Sequence, residues 1–378
     1  MTPIAEKRKI PLLDLKSLHR PIREEVIAEM TRVIDANAFI MGEDVKLLEK
    51  AIAAYCHVPF AVGCASGSDA LLLALMAAGI GHGDKVLTTP FSFFATAGSI
   101  ARIGAIPVFV DIDPATFNID PQALAKVIER HPDAKAIMPV HLFGACADMD
   151  PIMAIARQYG CLVIEDGAQS IGAEYKGIAA QSIGEMGCIS FFPSKNLGAF
   201  GDGGMVVTRD EALAKKLAAL RVHGAPKKYF HDWVGINSRL DTLQAAILRV
   251  KLKHLDGETA GRQANADRYR ALLGGAGLPI TLPQAASYQT RHIYNQFVIR
   301  APRRDGLKTF LQENGVGSEI YYPLSLHQQV CFAYLGYQEG DFPESEKAAA
   351  EVLALPVHSA LAEQDIAYVC ELIRAFYR

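Results

Sequence analysis

One lysine stands out in the run Ser190-Phe-Phe-Pro-Ser-Lys195-Asn-Leu-Gly-Ala-Phe-Gly-Asp-Gly-Gly204, where an apolar strand turns into a Gly-rich segment. A loop lysine is usually a solvated charge. Lys195, however, is flanked by Phe191, Phe192, Pro193 and Leu197, a partly apolar setting. Desolvation or a nearby cation lowers the pKa of an amine and makes it nucleophilic, which suits a lysine that forms a Schiff base. Gly201, Gly203 and Gly204 are expected to serve a tight turn and to have no catalytic role.

Three further segments carry chemistry at strand ends. The run Cys161-Leu-Val-Ile-Glu-Asp-Gly-Ala-Gln169 ends an apolar strand in two acids. Open α/β sheets bind ligands just beyond the carboxyl ends of their strands, so Asp166 lies where a ligand would sit. On its own it reads equally well as a helix cap. In Cys64-Ala-Ser-Gly-Ser-Asp-Ala-Leu71, Ser66, Gly67 and Ser68 precede an apolar helix. Free N–H groups and the helix dipole make that N-terminus an anion site, Gly67 allows close approach and Ser68 adds a hydroxyl. An ordinary Ser/Asp cap is the plain alternative. In Thr89-Pro-Phe-Ser-Phe-Phe-Ala-Thr96, Phe93 could stack on a flat ring, although core packing alone would explain it.

Together the four segments place a phosphate cradle, an aromatic face, an acid and a lysine after strands of one sheet. Pyridoxal phosphate needs those groups: donors for its phosphate, a stacking partner for its ring, a carboxylate for its pyridinium nitrogen and an amine for its aldehyde.

The elements that must position these groups can be read as alternating strands and helices. Candidate strands are Phe60–Cys64, Lys85–Thr89, Ile106–Val110, Ala136–Val140, Leu162–Glu165, Cys188–Phe191 and Met205–Thr208. Several are continuous apolar runs, as in strands buried on both faces of a mainly parallel sheet, and most gaps leave room for a crossover helix. From Arg239 to about Leu273 the pattern is helical, with Leu240, Leu243, Ile247, Val250 and Leu255 on one face, until Gly274, Gly275 and Gly277 break it. A smaller α+β domain is expected to follow, with a strand at Ile293–Ile299, a helix near Gly306–Asn314 and a last helix near Glu363–Phe376. The expected division is residues 1–250, a large domain with an N-terminal arm, and residues 251–378, a small domain.

The chain has 378 residues, which suits a large domain plus a smaller one. Half the residues are hydrophobic and the net charge is -3, with no long run of one sign; this argues against a general nucleic-acid binder. Met1 to Leu15 has no apolar core like that of a signal peptide, and the longest apolar run, Ala70 to Ile80, is too short to span a bilayer. The seven cysteines form no CxxC pair, so reduced thiols in the cytoplasm are expected. No metal site is expected, and His141, His223 and His327 have no zinc spacing.

Five motifs resemble one family over nearly the whole chain: Ala65-Ser-Gly-Ser-Asp-Ala-Leu, Pro107-Val-Phe-Val-Asp-Ile-Asp-Pro, Ile164-Glu-Asp-Gly-Ala-Gln-Ser, Ser190-Phe-Phe-Pro-Ser-Lys-Asn-Leu-Gly and Gly235-Ile-Asn-Ser-Arg-Leu-Asp-Thr-Leu-Gln-Ala-Ala. They resemble the DegT/StrS-type sugar aminotransferases of the type I pyridoxal-phosphate fold. The resemblance implies that Lys195 binds the cofactor and shuttles the proton, Asp166 pairs with the pyridinium nitrogen and Gln169 contacts the ring hydroxyl. It implies that Gly67, Ser68 and Ser190 hold the phosphate and Phe93 stacks on the ring. It further implies a homodimer in which Asn237 reaches the partner's phosphate and Arg239 lines the substrate side.

The resemblance also implies a substrate class. L-Glutamate would give its amino group to a keto sugar linked to a nucleotide. The run from Lys195 and the segment Glu319-Ile-Tyr-Tyr-Pro resemble members acting on 3-keto sugars of UDP or dTDP, including UDP-2-acetamido-3-oxo-glucuronate aminotransferases. Members acting on 4-keto sugars more often carry a His where this chain has Phe192. Tyr321 stands where that group often has His, and Tyr322 is a candidate sugar contact. The alternatives are a 4-keto sugar aminotransferase, a dehydratase on the same scaffold, which would replace the lysine with His, and a non-catalytic regulator.

Overall fold

The computed structural model describes residues 8–378, so the first seven residues of the N-terminal reading lie outside the described residues. Its centre is a seven-stranded sheet. The strands are β1 (Phe60–Cys64), β2 (Lys85–Thr88), β3 (Ile106–Phe109), β4 (Ala136–Ile137) and β5 (Leu162–Asp166). A small hairpin, β6 (Glu174–Tyr175) and β7 (Ile178–Ala179), separates these from β8 (Met186–Ser190) and β9 (Gly204–Thr208). The spatial order is β1-β9-β8-β5-β4-β2-β3. All pairings are parallel except those of β9, which runs against both neighbours. The mainly parallel α/β sheet expected from the continuous apolar runs is present. β9 is reversed because residues 191–203 return as a loop and not as a crossover helix.

Helices cover both faces of the sheet. Gly67–Ala77 is almost wholly apolar because it lies between the sheet and the helix Glu211–Leu220; Leu71, Leu73 and Leu75 are fully buried. Each such leucine contributes roughly 2 kcal/mol of burial. The polar ends are set by side chains: Ser66 Oγ accepts from Asp69 N at 3.1 Å, and Asp210 caps Glu211–Leu220. On the opposite face, Leu48 and Ile52 of the helix Glu43–Tyr55 pack with Phe191, Met205 and Leu248.

Three elements differ from the sequence expectation. Ala136–Val140 keeps strand pairing only over Ala136–Ile137, because Pro139 has no N–H to offer the ladder; Val140 regains a bridge to Asp166. The strand expected at Ile293–Ile299 is Phe297–Arg300 (β10), since Tyr294 takes a left-handed turn, φ 46°. The helical stretch after Arg239 is two helices, Thr242–Leu252 and Leu255–Leu273, joined where Lys253 N and His254 N bond three residues back.

A second core gathers Tyr269 and Leu273 of that last helix with β10, β11 (Val352–Leu355), the helix Arg304–Glu313 and the helix Glu363–Tyr377. Phe297 stacks on Tyr269 at 4.9 Å. This layer is tied to the sheet's carboxyl edge at two points. Asp111 accepts from the backbone of Glu344 and Ser345, both at 3.0 Å, capping the helix Pro343–Glu351, and Leu326 N donates to Pro90 O at 2.7 Å. The segment carrying Tyr321 and Tyr322 is thereby held over the strand ends.

Candidate active site

The carboxyl ends of β1, β2, β5 and β8 lead directly into the segments singled out by their chemistry. Asp166 is the last residue of β5 and is buried. Its Oδ2 accepts from Thr96 Oγ1 at 2.6 Å and its Oδ1 from Ala168 N at 3.2 Å. Burial raises its pKa, against those two hydrogen bonds and the more distant charge of Lys195. No cation bonds to it among the described residues. It does not cap a helix, so the capping alternative fails: the residues after it form a tight turn.

Lys195 follows β8 by five residues; its backbone N–H closes a turn onto Phe192 O at 2.8 Å. Its side chain is half-buried, and Nζ has no hydrogen-bond partner among the described residues. Desolvation lowers the amine to about 8, while Asp166 works in the opposite direction. The charge of Asp166 is felt at the Lys195 amine, so the two groups lie near each other at this edge of the sheet.

The helix Gly67–Ala77 points its N-terminus at the same edge. The N–H groups of Gly67 and Ser68 have no partner among the described residues, and Ser68 is exposed. Ser190 ends β8 beside Gly67: a Cβ on Gly67 would sit 2.5 Å from Ser190 Cβ, so only glycine fits. Gly204 meets a similar limit, with Ser66 O 2.2 Å from any Cβ it carried. Contrary to the expectation of a simple turn residue, it holds the loop's return against the helix start.

Phe93 and Gln169 complete the wall. Phe93 is 56% exposed, unlike the fully buried Phe91 two residues earlier, and its ring centroid lies 6.2 Å from that of Tyr322. Gln169 is fixed at both ends of its amide: Oε1 accepts from Phe143 N at 2.7 Å, and Nε2 donates to Tyr322 Oη at 3.1 Å. Tyr322 is thereby joined to Gln169 at this edge of the sheet. Tyr321 is not hydrogen-bonded there and packs in an apolar cluster with Ile320 and Leu12.

Among the described residues, Asn237 and Arg239 make no hydrogen bond to these groups. Asn237 is exposed, with its backbone bridged to Val222, and Arg239 Nε is buried without a partner. Between them, Ser238 Oγ donates to Asp69 Oδ2 at 2.7 Å and accepts from Ala65 N at 3.2 Å, which moors this strip beside the phosphate-like cradle.

Sequence reasoning missed Thr96, Ser92 and Ser238. Ser92 and Thr96 lay four residues apart in the quoted Thr89–Thr96 run, which was the available signal, and Ser238 lay between the Asn237 and Arg239 already singled out. His141 hydrogen-bonds within the core: its Nδ1 accepts from Ala147 N at 3.1 Å, so Nε2 carries the proton and donates to Glu165 Oε2 at 2.7 Å. No cluster of metal-ligating side chains occurs among the described residues.

The residues present fit pyridoxal phosphate: unpaired N–H groups and hydroxyls for a phosphate, an open aromatic face, a buried carboxylate lacking a cation, and an unpaired amine of lowered pKa. Comparison with known proteins agrees. The family model for DegT/DnrJ/EryC1/StrS aminotransferases matches residues 20–374. A "pleiotropic regulatory protein" of Geobacillus stearothermophilus is 51% identical, over 98% of this chain and 99% of its own. A UDP-N-acetyl-3-dehydro-alpha-D-glucosamine 3-aminotransferase of Acidithiobacillus ferrooxidans is 44% identical over 98% and 99%. Among solved structures, S. venezuelae DesV in complex with a ketimine intermediate superposes with a TM-score of 0.94 at 38% identity, covering 98% of this chain and 99% of its own. The chain belongs to the DegT/DnrJ/EryC1/StrS aminotransferase family, and it is a pyridoxal-phosphate-dependent enzyme.

Proposed function

We propose that this enzyme transfers the amino group of L-glutamate to the keto carbon at position 3 of a UDP- or dTDP-linked sugar. The observation that carries the reading is the placing, at one edge of the sheet, of a partnerless amine of lowered pKa near a buried carboxylate that has no cation. The name of the A. ferrooxidans relative supports the sugar and the carbon. When bound, the cofactor supplies an electron sink for the pair released as a Cα–H bond breaks.

The residues have these roles in the proposal. Lys195 anchors the cofactor, takes the proton from the amino donor's α-carbon, and returns one during the second half of the cycle. Asp166 holds a proton on the ring nitrogen, and Gln169 orients the ring through its hydroxyl. Gly67, Ser68 and Ser190 bind the phosphate, and Phe93 covers one ring face. Arg239, Tyr322 and, at the rim, Tyr321 face the sugar nucleotide. Asn237 completes the phosphate site of a second copy in a homodimer. Its exposure supports this, as does the apolar strip beside it, where Tyr229 is 80% and Val234 92% exposed. The division into a large domain to residue 250 and a small one beyond, and a cytoplasmic location, belong to the same proposal. Among the described residues, no helix is long and apolar enough to cross a membrane.

The test loads the aminated cofactor form and offers 3-keto and 4-keto sugars of UDP and dTDP in turn. Return of the yellow Lys195-bound form with a 3-keto sugar is expected; return only with 4-keto sugars would overturn the carbon assignment. A regulatory reading is favoured by the name of the 51% identical relative. Bleaching of the yellow form by L-glutamate separates the two, because a regulator without turnover leaves the colour unchanged. Asn237→Ala and Lys195→Ala chains, each inactive alone, should regain activity when mixed if the sites are shared.

A further inference from the structure

The Thr89–Thr96 loop contributes more than the ring face of Phe93. One turn beyond Phe93, Thr96 is fully buried, and its hydroxyl lies 2.6 Å from Asp166 Oδ2. Ser92 Oγ, also buried, lies 2.8 Å from Thr96 Oγ1. The direction of this chain is set once Asp166 is the anion that its proposed role requires. An ionised carboxylate only accepts, and Thr96 has one proton, so that proton goes to Asp166. Ser92 must then donate to Thr96 Oγ1. The relay Ser92→Thr96→Asp166 runs in this sense only while no proton sits on Oδ2. The second carboxylate oxygen takes Ala168 N–H at 3.2 Å, so both oxygens are held and the rotamer is fixed.

We propose that Thr96, oriented by Ser92, is a positioning residue that keeps the Asp166 carboxylate ionised and aimed at the cofactor's ring nitrogen. The inference rests on the proposed role of Asp166. Burial alone favours the neutral acid at this position. A neutral Asp166 would leave the ring nitrogen without its counter-charge and weaken the electron sink. Hydrogen bonds to a charged acceptor are roughly twice as strong as neutral ones and oppose that drift. The loop thus couples the ring face to the ring nitrogen's partner: one turn of backbone carries Phe93 on one side and the relay on the other.

The decisive variants are Thr96→Val, which keeps shape and loses the hydroxyl, and Thr96→Ser, which keeps the hydroxyl. Two quantities are read on each: the dissociation constant of pyridoxal phosphate titrated into apo-protein, and the single-turnover rate with L-glutamate. For Thr96→Val we expect the dissociation constant to rise and the single-turnover rate to fall, each by about tenfold to a hundredfold. The half-saturating glutamate concentration should stay within about twofold. Thr96→Ser should stay within about threefold of the parent in both quantities. Equal losses in the two variants would make Thr96 a packing residue only and overturn the proposal, as would a Thr96→Val protein that matches the parent. Should Thr96→Val fail to fold, Ser92→Ala decides the case: a smaller loss in the same direction is expected, and no change overturns the relay. If the parent binds the cofactor yet takes no amino group from glutamate, the proposed function fails, while the affinity comparison still judges Thr96.

Discussion

Glu165 and Asp166 are adjacent acids at the end of one strand, and they differ in almost everything except chemistry. Side chains alternate along a strand, so the two point to opposite faces of the sheet. Glu165 accepts from the N–H groups of Gln181, Ile183 and Gly184 at 3.0, 2.8 and 2.7 Å and from His141 at 2.7 Å. Every lone-pair direction it has is used. Asp166 accepts only two bonds and is left facing an amine that also lacks a partner. A saturated buried carboxylate organises the fold: Glu165 fastens the loop after the β6–β7 hairpin to β5. An undersaturated one is a place where a cation will bind.

The largest effect that sharpens this contrast belongs to the amine on the Asp166 side. Lys195→Ala should lower turnover by at least about 10⁴-fold, because it removes both anchor and proton carrier, with little change in thermal unfolding. Ordinary turnover in that variant would sink the assignment. Asp166→Ala should follow at about 10³-fold, again in a folded protein, since the lost group has no structural partners to strand beyond Thr96 and Ala168. Glu165→Ala should do the reverse. It orphans three N–H groups and His141, and chemical denaturation should show a loss of about 3 kcal/mol or more. A Glu165 variant as stable as the parent would erase the distinction between the two faces.

The pH response is a smaller and sharper probe. The amine of Lys195 reacts only when neutral, and burial sets its pKa at about 8. The rate at which apo-protein captures pyridoxal phosphate covalently should therefore climb as pH rises and level off above about 8. The Asp166 charge raises this pKa, so in Asp166→Ala the midpoint should move to lower pH. A midpoint left at the parent value would mean that the two groups do not sense each other, and one that rises would contradict the sign of their coupling.

How far the sequence disclosed this site depends on what each residue must bond to. The sheet was legible because continuous apolar strands can be buried only in one kind of architecture. The cradle at Gly67 and Ser68, Asp166 and Lys195 were legible because each sits at a strand end in a run of fixed chemical types. What Glu165 does was not legible, because nothing in Ile164-Glu-Asp-Gly says which groups cover the face of β5 turned away from the ligand. Thr96 and Ser92 escaped for a related reason, since hydroxyls are common and their partner lies about seventy residues away. Pro139 and Tyr294, which shorten one strand and displace another, act through a missing donor and a left-handed turn that apolar periodicity does not encode.

The smallest predicted effect concerns Tyr322. Its hydroxyl accepts from Gln169 Nε2, and its ring stands 6.2 Å from those of Phe91 and Phe93. Tyr322→Phe keeps the aromatic contacts and removes only the acceptor. Gln169 remains tied to Phe143 N–H, so the amide loses one of two restraints and the cost is about 1 kcal/mol, a few-fold in cofactor retention. A direct sugar contact predicts something else: retention unchanged and the half-saturating concentration of the sugar nucleotide raised. Measuring both in the same variant assigns the hydroxyl either to the cofactor side with Asp166 or to the substrate side. If neither quantity moves, Tyr322 belongs with Glu165 among the groups that only hold the fold.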